Sequence, residues 1–152
     1  MPSSKDSGIF IEWINLLSCE VKAAPQSPAL AYHLAITDFS RKLSGDGKHL
    51  FLAVSFDLMH GVKNPPCEFR CTFGAAYSRG PDAEMTWDEF KDHLAIAHLI
   101  PYLREFISNL TARLPLALLI IPPINAHNLL EGYRQLRLEL EAATSPALKT
   151  EG

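Results

Sequence analysis

The sequence has little net charge and no concentration of basic residues. Its 152 residues include 14 Lys and Arg and 17 Asp and Glu, which gives a formal net charge of -3 at pH 7. A groove that follows a phosphate backbone needs clustered Lys and Arg, whereas these residues are scattered along this chain. The composition therefore argues against a nucleic-acid-binding protein.

Long hydrophobic runs are also missing. The longest apolar stretch, Leu114 to Ile121, is far shorter than the ~20 residues that cross a bilayer, and prolines bound it. The opening residues, MPSSKDSGIF, lack the charged and then apolar segments of a signal peptide. We therefore expect no membrane insertion and a cytoplasmic location.

Cysteine is scarce, and its spacing does not suit a metal site. Cys19, Cys67 and Cys71 are too few for a disulfide scaffold. On a strand, Cys67 and Cys71 would share one face but lie ~13 Å apart, too far to bind one ion. The six histidines share no ligand spacing. We expect no metal.

The common catalytic motifs are absent. The sequence contains no G-x-S-x-G, no P-loop and no G-x-G-x-x-G. A Cys/His nucleophile pair remains an alternative, because catalytic partners are often distant in sequence. We expect a protein that is not an enzyme and that needs no cofactor.

Hydrophobic residues make up 47% of the chain and charged residues 20%, as in an ordinary globular protein. We expect a single domain over residues 1–152, with a flexible tail from about residue 144. Four segments rich in β-forming residues have apolar residues at alternate positions, which predicts strands. They are Ile9–Ala23, Leu30–Phe39, His49–Gly61 and Cys67–Ser78. Short or turn-like links between them favour an antiparallel meander.

Helical spacing replaces this alternation in the second half of the chain. The stretch TWDE, Thr86 to Glu89, fits a capping box and predicts a helix from Trp87. Pro101 should kink that helix, interrupt it or open a second one. A last helix is predicted over Asn125 to Ala142, with Asn125 as N-cap. Its expected buried edge is Leu129, Tyr133, Leu136 and Leu140. The class is α+β, with helices on one face of the sheet.

The third predicted strand has bulky apolar residues on both faces. Leu50, Leu52, Val54, Phe56 and Leu58 lie on one face, with Phe51, Ala53 and Met59 on the other. A strand that is apolar on both faces implies that the second face also meets something. Self-association, a hydrophobic partner, or both would satisfy it.

The segment IPYLREFISNLTARLPLALLIIPPINAHNLLEGY, Ile100 to Tyr133, resembles the SecB family of export chaperones. Its hallmark is a Pro-Tyr-x-Arg-Glu helix that ends in Arg, a Pro-containing apolar stretch, and then Pro-[Val/Ile]-Asn before a helix with Leu and Tyr. The matching positions are Pro101, Tyr102, Arg104, Glu105, Arg113, Pro115, Leu116, Pro123, Ile124, Asn125, Leu129 and Tyr133. GAAY, Gly74 to Tyr77, is similar to the family's Gly-Gly-Ile-Phe.

The resemblance implies an ATP-independent holdase with a four-stranded antiparallel sheet and two main helices packed on one face. Family members form homotetramers, as dimers of dimers. They hold unfolded polypeptide or preprotein clients in hydrophobic grooves between the last helix, the sheet and a crossover loop. The expected client-contact residues in this chain are Tyr32, Phe73, Tyr77, Leu129, Leu130 and Tyr133.

Two roles within this resemblance stay open. Export-type members are strongly acidic, and acids on their exposed sheet dock the SecA motor. Here Arg70 stands near Glu68, where a second acid would be expected. Other SecB-like proteins guard an antitoxin in toxin–antitoxin systems. The sequence therefore leaves SecA and an antitoxin as alternative partners.

Overall fold

The computed structural model describes residues 7–23, 32–63, 65, 67–113, 121 and 124–144. They form the strands β1 (Ile9–Ala23), β2 (Ala35–Leu43), β3 (His49–Asp57) and β4 (Cys67–Arg79), and the helices α1 (Asp92–Thr111) and α2 (Ala126–Thr144). All strand pairs are antiparallel, in the order β1-β4-β3-β2. The predicted α+β fold, a four-stranded antiparallel sheet with two main helices, is confirmed. Neither helix in the described part is long and apolar enough to cross a membrane.

The position of β1 corrects the predicted meander. β2, β3 and β4 follow one another as hairpins, but β1 pairs with β4 and not with β2. A strand of 15 residues finds a partner of matching length in the 13-residue β4, whereas β2 has only nine residues. The apolar residues of β1 also face those of β4, as where Leu16 pairs with Phe73. The register shifts between Leu16 and Ser18, where β1 carries one residue more than β4, as in a β-bulge.

The second strand begins later than the sequence indicates. Leu30 and Ala31 lie outside the described residues, and β2 starts at Ala35 and continues past Phe39 to Leu43. The start is set by pairing, because Ala35 faces Asp57, the last residue of β3. Similarly, β3 ends at Asp57 and does not extend to Gly61, because the next residues form turns, with Met59 in an isolated bridge to His33.

The inner face of the sheet forms the core with the helices. Alternate residues of β3 and β4 are buried there: Leu50, Leu52, Val54, Phe56, Cys67, Phe69, Cys71, Phe73, Ala75 and Tyr77. Phe106 of α1 packs edge-to-face on Phe69 and Phe73, with ring centroids 6.0 and 5.9 Å away. Each buried Phe contributes roughly 1.5–3 kcal/mol to stability, so this contact holds α1 firmly against β4.

The segment before α1 forms turns where a helix was predicted. The Glu89 N–H does donate to Thr86 Oγ1 at 3.2 Å, but α1 begins only at Asp92. The reason is Arg41 of β2, whose guanidinium donates to the carbonyl oxygens of Trp87 (2.5 Å) and Phe90 (3.0 Å). Those carbonyls point toward the sheet, and tertiary contacts replace the first helical turn.

Pro101 lies inside α1, and the helix runs continuously through it. Of the three predicted outcomes, an interruption and a second helix are therefore wrong. Proline removes one helical N–H donor, and both Pro101 and Ala97, whose carbonyl would have accepted it, are exposed. Water can satisfy that carbonyl, which makes the proline tolerable on this side of the helix.

The start of α2 agrees with the prediction. The Asn128 N–H donates to Asn125 Oδ1 at 3.1 Å, as expected for an N-cap. The buried residues of α2 are Ala126, Leu130 and Tyr133, and everything from Arg137 to Thr144 is exposed. The expectation that Leu140 is buried is therefore wrong, since it is 57% exposed. The predicted tail beyond Thr144 and most of the apolar run Leu114 to Ile121 lie outside the described residues.

We expect Asn125→Ala to lower the free energy of unfolding by about 1 kcal/mol, because the first turn of α2 loses its cap. Asn125→Asp should retain most of that stability, since a carboxylate accepts the same bond. Urea denaturation of the three proteins checks this. If Asn125→Ala and Asn125→Asp lose the same free energy of unfolding, the loss does not come from the cap hydrogen bond.

The outer face of the sheet carries exposed apolar side chains. Trp13 and Leu17 of β1 lie over Gly74 of β4, where an added Cβ would stand 2.8 Å from Leu17 Cδ1 and 3.1 Å from Trp13 Cζ3. A side chain at position 74 would therefore displace Leu17 or Trp13. Trp13 remains 39% exposed, Leu17 56% and Phe51 of β3 40%. That a partner covers this face stays a prediction.

Candidate peptide-binding groove

An open groove of about 480 Å³ runs between the start of β2 and helix α2. We call it the β2–α2 groove. Its lining residues are His33, Leu34, Ala35, Ile36, His60, Ile124, Asn125, Asn128, Leu129, Gly132, Tyr133, Gln135, Leu136 and Glu139. The size matches the clefts of a few hundred cubic ångströms that take ligands in proteins.

Helical periodicity builds one wall of the groove. Leu129, Tyr133 and Leu136 are four and three residues apart, so they lie on one face of α2. Gly132 belongs to the same face, and an added Cβ there would have no atom within 4 Å. The wall is therefore apolar, and the space in front of Gly132 is empty because glycine has no side chain.

The opposite wall is held by backbone contacts between two distant segments. The His33 N–H donates to the Leu58 carbonyl at 2.9 Å, and the His60 N–H donates to the His33 carbonyl at 3.2 Å. The His33 Nδ1 lies 3.0 Å from the His60 carbonyl oxygen. These bonds fix the entry to β2 against the turn after β3, so this wall is formed before any ligand arrives.

The lining also includes polar side chains, and most of them are uncharged. Asn125, Asn128 and Gln135 present amide groups, and Glu139 is the only carboxylate among the described residues that line the groove. Side-chain amides both donate and accept, so they can bond to the backbone of any peptide. Apolar walls with such a rim can hold a polypeptide segment by non-directional contacts.

The structure brings together two of the six predicted client-contact residues. Leu129 and Tyr133 line the groove. Leu130 follows Leu129 but faces the core and is 2% exposed. Tyr32 is half-buried and precedes the groove residue His33. Phe73 is buried against Phe106 in the core.

Tyr77, the sixth residue, borders a separate cavity of about 450 Å³, the β1–α1 cleft. Its lining residues are Ser7, Ile9, Phe10, Ile11, Tyr77, Met85, Phe90, Leu94 and His98. The Tyr77 hydroxyl donates to the Ala95 carbonyl, and burial raises the pKa of Tyr77 to about 12. Burial also lowers the pKa of His98. Both groups are neutral at pH 7, so the cleft is an uncharged, largely apolar surface.

Several groove residues have no signal of their own in the sequence. His33, His60 and Gly132 line the groove only because the entry to β2 packs beside α2 in the folded protein. Leu136 did carry a signal, since it belongs to the predicted apolar stripe of the last helix. Among the described residues, no group of three or more His, Cys, Asp or Glu side chains could hold a metal ion.

No family model matches the sequence, and no curated protein matches it. A solved structure does: a SecB-like chaperone of Mycobacterium tuberculosis in complex with a ChAD peptide from the HigA1 antitoxin. The match has a TM-score of 0.55 at 19% identity and covers 76% of this chain and 90% of that one. The fold is SecB-like. In that neighbour the fold is in complex with a peptide.

Proposed function

We propose that this protein is an ATP-independent chaperone that holds unfolded or non-native polypeptide segments in the β2–α2 groove. The observation that carries the proposal is the groove itself, with apolar walls, an amide-bearing rim and one acidic group. Such a lining contacts side chains without reading a particular sequence. The SecB-like fold, which binds a peptide in its mycobacterial neighbour, supports the same role.

A second candidate is a chaperone dedicated to one partner, such as an antitoxin. The bound antitoxin peptide of the structural neighbour favours it. The two candidates differ in selectivity. A dedicated chaperone prefers one segment strongly, whereas a general holdase binds many with similar affinity.

Export through SecA receives less support from the outer face of the sheet. On this face acidic side chains form ion pairs with basic ones: Lys22 lies 3.8 Å from Glu68, and Arg70 lies 3.8 Å from Asp57. Paired charges of opposite sign create no acidic field for a basic docking module. We therefore consider a role in export less well supported than a general holdase or a dedicated chaperone.

We also propose that the protein acts in the cytoplasm as a homotetramer, a dimer of dimers. Exposed apolar residues of β1 and α1 support self-association: Ile11 is 47% exposed, Leu94 39% and Tyr102 49%. Large exposed apolar patches are uncommon on monomers. The mass of the protein in solution tests this, and a monomer would contradict it.

The chaperone role is tested by the aggregation of chemically denatured clients diluted into buffer without nucleotide. We expect suppression of several unrelated clients at stoichiometric amounts of the protein. A dedicated chaperone would protect only one client, such as an antitoxin encoded beside it. Suppression of none would overturn both candidates.

A further inference from the structure

Two cysteines lie directly opposite each other on neighbouring strands. In the register of β1 and β4, Cys19 pairs with Cys71. Opposed residues of an antiparallel pair project to the same face, and their Cα atoms lie about 4.5 or 5.5 Å apart. Disulfides span Cα distances of about 4.4–6.8 Å. The register therefore places these two thiols within reach of each other.

The two thiols differ in access to solvent. Cys19 is exposed on the edge strand, Cys71 is 2% exposed, and both are free thiols. Burial, and secondly the nearby charge of Cys19, raise the pKa of Cys71 to about 12. The influence of Cys19 on that pKa agrees with the proximity that the register indicates. A solvent oxidant would meet Cys19 first.

Cys67 provides an internal comparison. It lies on the same strand and face as Cys71 and is equally buried, at 3% exposure, but its partner on β1 is Ala23. Four residues along a strand separate Cys67 from Cys71 by about 13 Å. Cys67 therefore has no thiol within reach, although its surroundings resemble those of Cys71.

We propose that Cys19 and Cys71 form a reversible redox site, in which a peroxide converts the pair to a disulfide that ties β1 to β4. The Cys19 thiolate attacks one peroxide oxygen, which forms an S–O bond and breaks the O–O bond. The product is a sulfenic acid, and water leaves after protonation. The Cys71 sulfur then attacks the Cys19 sulfur, which forms the S–S bond and breaks the S–O bond; the leaving hydroxide takes up the Cys71 thiol proton and departs as a second water. Two thiols lose two electrons to one peroxide, and a small thiol in excess reduces the disulfide by thiol–disulfide exchange and is itself oxidised to a disulfide.

The pair should react slowly at neutral pH, as a site that responds to sustained oxidation. Although Cys19 is exposed to solvent, partial desolvation by the protein around it raises the pKa of its thiol, so only a small fraction is thiolate at pH 7. Because the thiolate fraction grows tenfold per pH unit below the pKa, the rate should rise about tenfold from pH 7 to pH 8.

The disulfide should also stabilise the fold. It closes a loop that contains β2 and β3, and a closed loop restricts the unfolded chain. We expect the Tm of the oxidised protein to rise by about 5 °C or more, and the rise to disappear on reduction.

The test treats the full chain with hydrogen peroxide and maps its disulfides by mass spectrometry of non-reduced proteolytic peptides. The expected product joins the peptides of Cys19 and Cys71, leaves Cys67 as a thiol, and returns to the dithiol with dithiothreitol. Cys67→Ser should oxidise like the parent, whereas Cys19→Ser should show neither the linked peptides nor the rise in Tm. Linkage through Cys67, a Cys19–Cys19 dimer, or irreversible oxidation of Cys19 alone would overturn the proposal.

Discussion

Gly132→Leu should weaken the binding of an unfolded client at least tenfold, which corresponds to about 1.4 kcal/mol. The position faces the β2–α2 groove with no atom within 4 Å of an added Cβ, so the new side chain enters the space a client would occupy. The free energy of unfolding should not fall, because leucine favours a helix by several tenths to about 1 kcal/mol over glycine. Fluorescence titration of a labelled unfolded client, with urea denaturation of the variant, measures both quantities.

The control for this variant is Gly132→Ala, which gains the helix preference but adds only one carbon to the groove. We expect Gly132→Ala to be more stable than the parent and to bind clients within about twofold of it. Loss of binding in one variant without loss of stability separates occlusion of the groove from damage to the fold. Unchanged binding by Gly132→Leu would mean that clients bind elsewhere.

Arg41→Ala should lower the free energy of unfolding by about 2–4 kcal/mol. The Arg41 guanidinium joins three parts of the molecule, since it donates to Asp92 Oδ1 at 2.6 Å and to the carbonyls of Trp87 and Phe90. Its side chain is only 25% exposed, so its loss leaves these partly buried acceptors unsatisfied. Arg134, 3.6 Å from Asp92 Oδ2, replaces only part of that contact.

Two variants control the effect of Arg41→Ala. Arg41→Lys keeps the charge but not the planar fork that reaches several acceptors, so it should lose an intermediate amount of stability. Lys42→Ala removes an exposed neighbour on the opposite face of β2 and should change stability by less than about 0.5 kcal/mol. Urea denaturation compares the four proteins, and similar stability of Arg41→Ala and Lys42→Ala would contradict this role for Arg41.

The sequence predicted the strands and helices of this fold better than it predicted how they pair and pack. Alternation located all four strands, and Asn125 marked the start of α2, because both signals are local. The pairing of β1 with β4 and the late start of α1 depend on contacts between distant residues. No periodic pattern in the sequence indicates the hydrogen bonds from Arg41 to the carbonyls before α1.

The same distinction applies to the groove. Leu129 and Tyr133 were predictable because the resemblance and the helical stripe both indicate them. Leu130, Phe73 and Tyr77 are equally apolar, but the packing of α1 and α2 turns them into the core or toward the β1–α1 cleft. His33 and Gly132 line the groove only because the entry to β2 lies beside α2. Composition cannot reveal such proximity.

Photo-crosslinking from defined positions tests the central claim, that polypeptide clients bind in the β2–α2 groove. A benzophenone side chain would replace Leu136 in the groove, Leu138 on the exposed side of α2, or Phe51 on the outer face of the sheet. We predict that an unfolded client crosslinks from position 136 and only weakly from positions 138 and 51. Strong crosslinking from position 51 with none from position 136 would contradict the account, because it would place the client on the sheet.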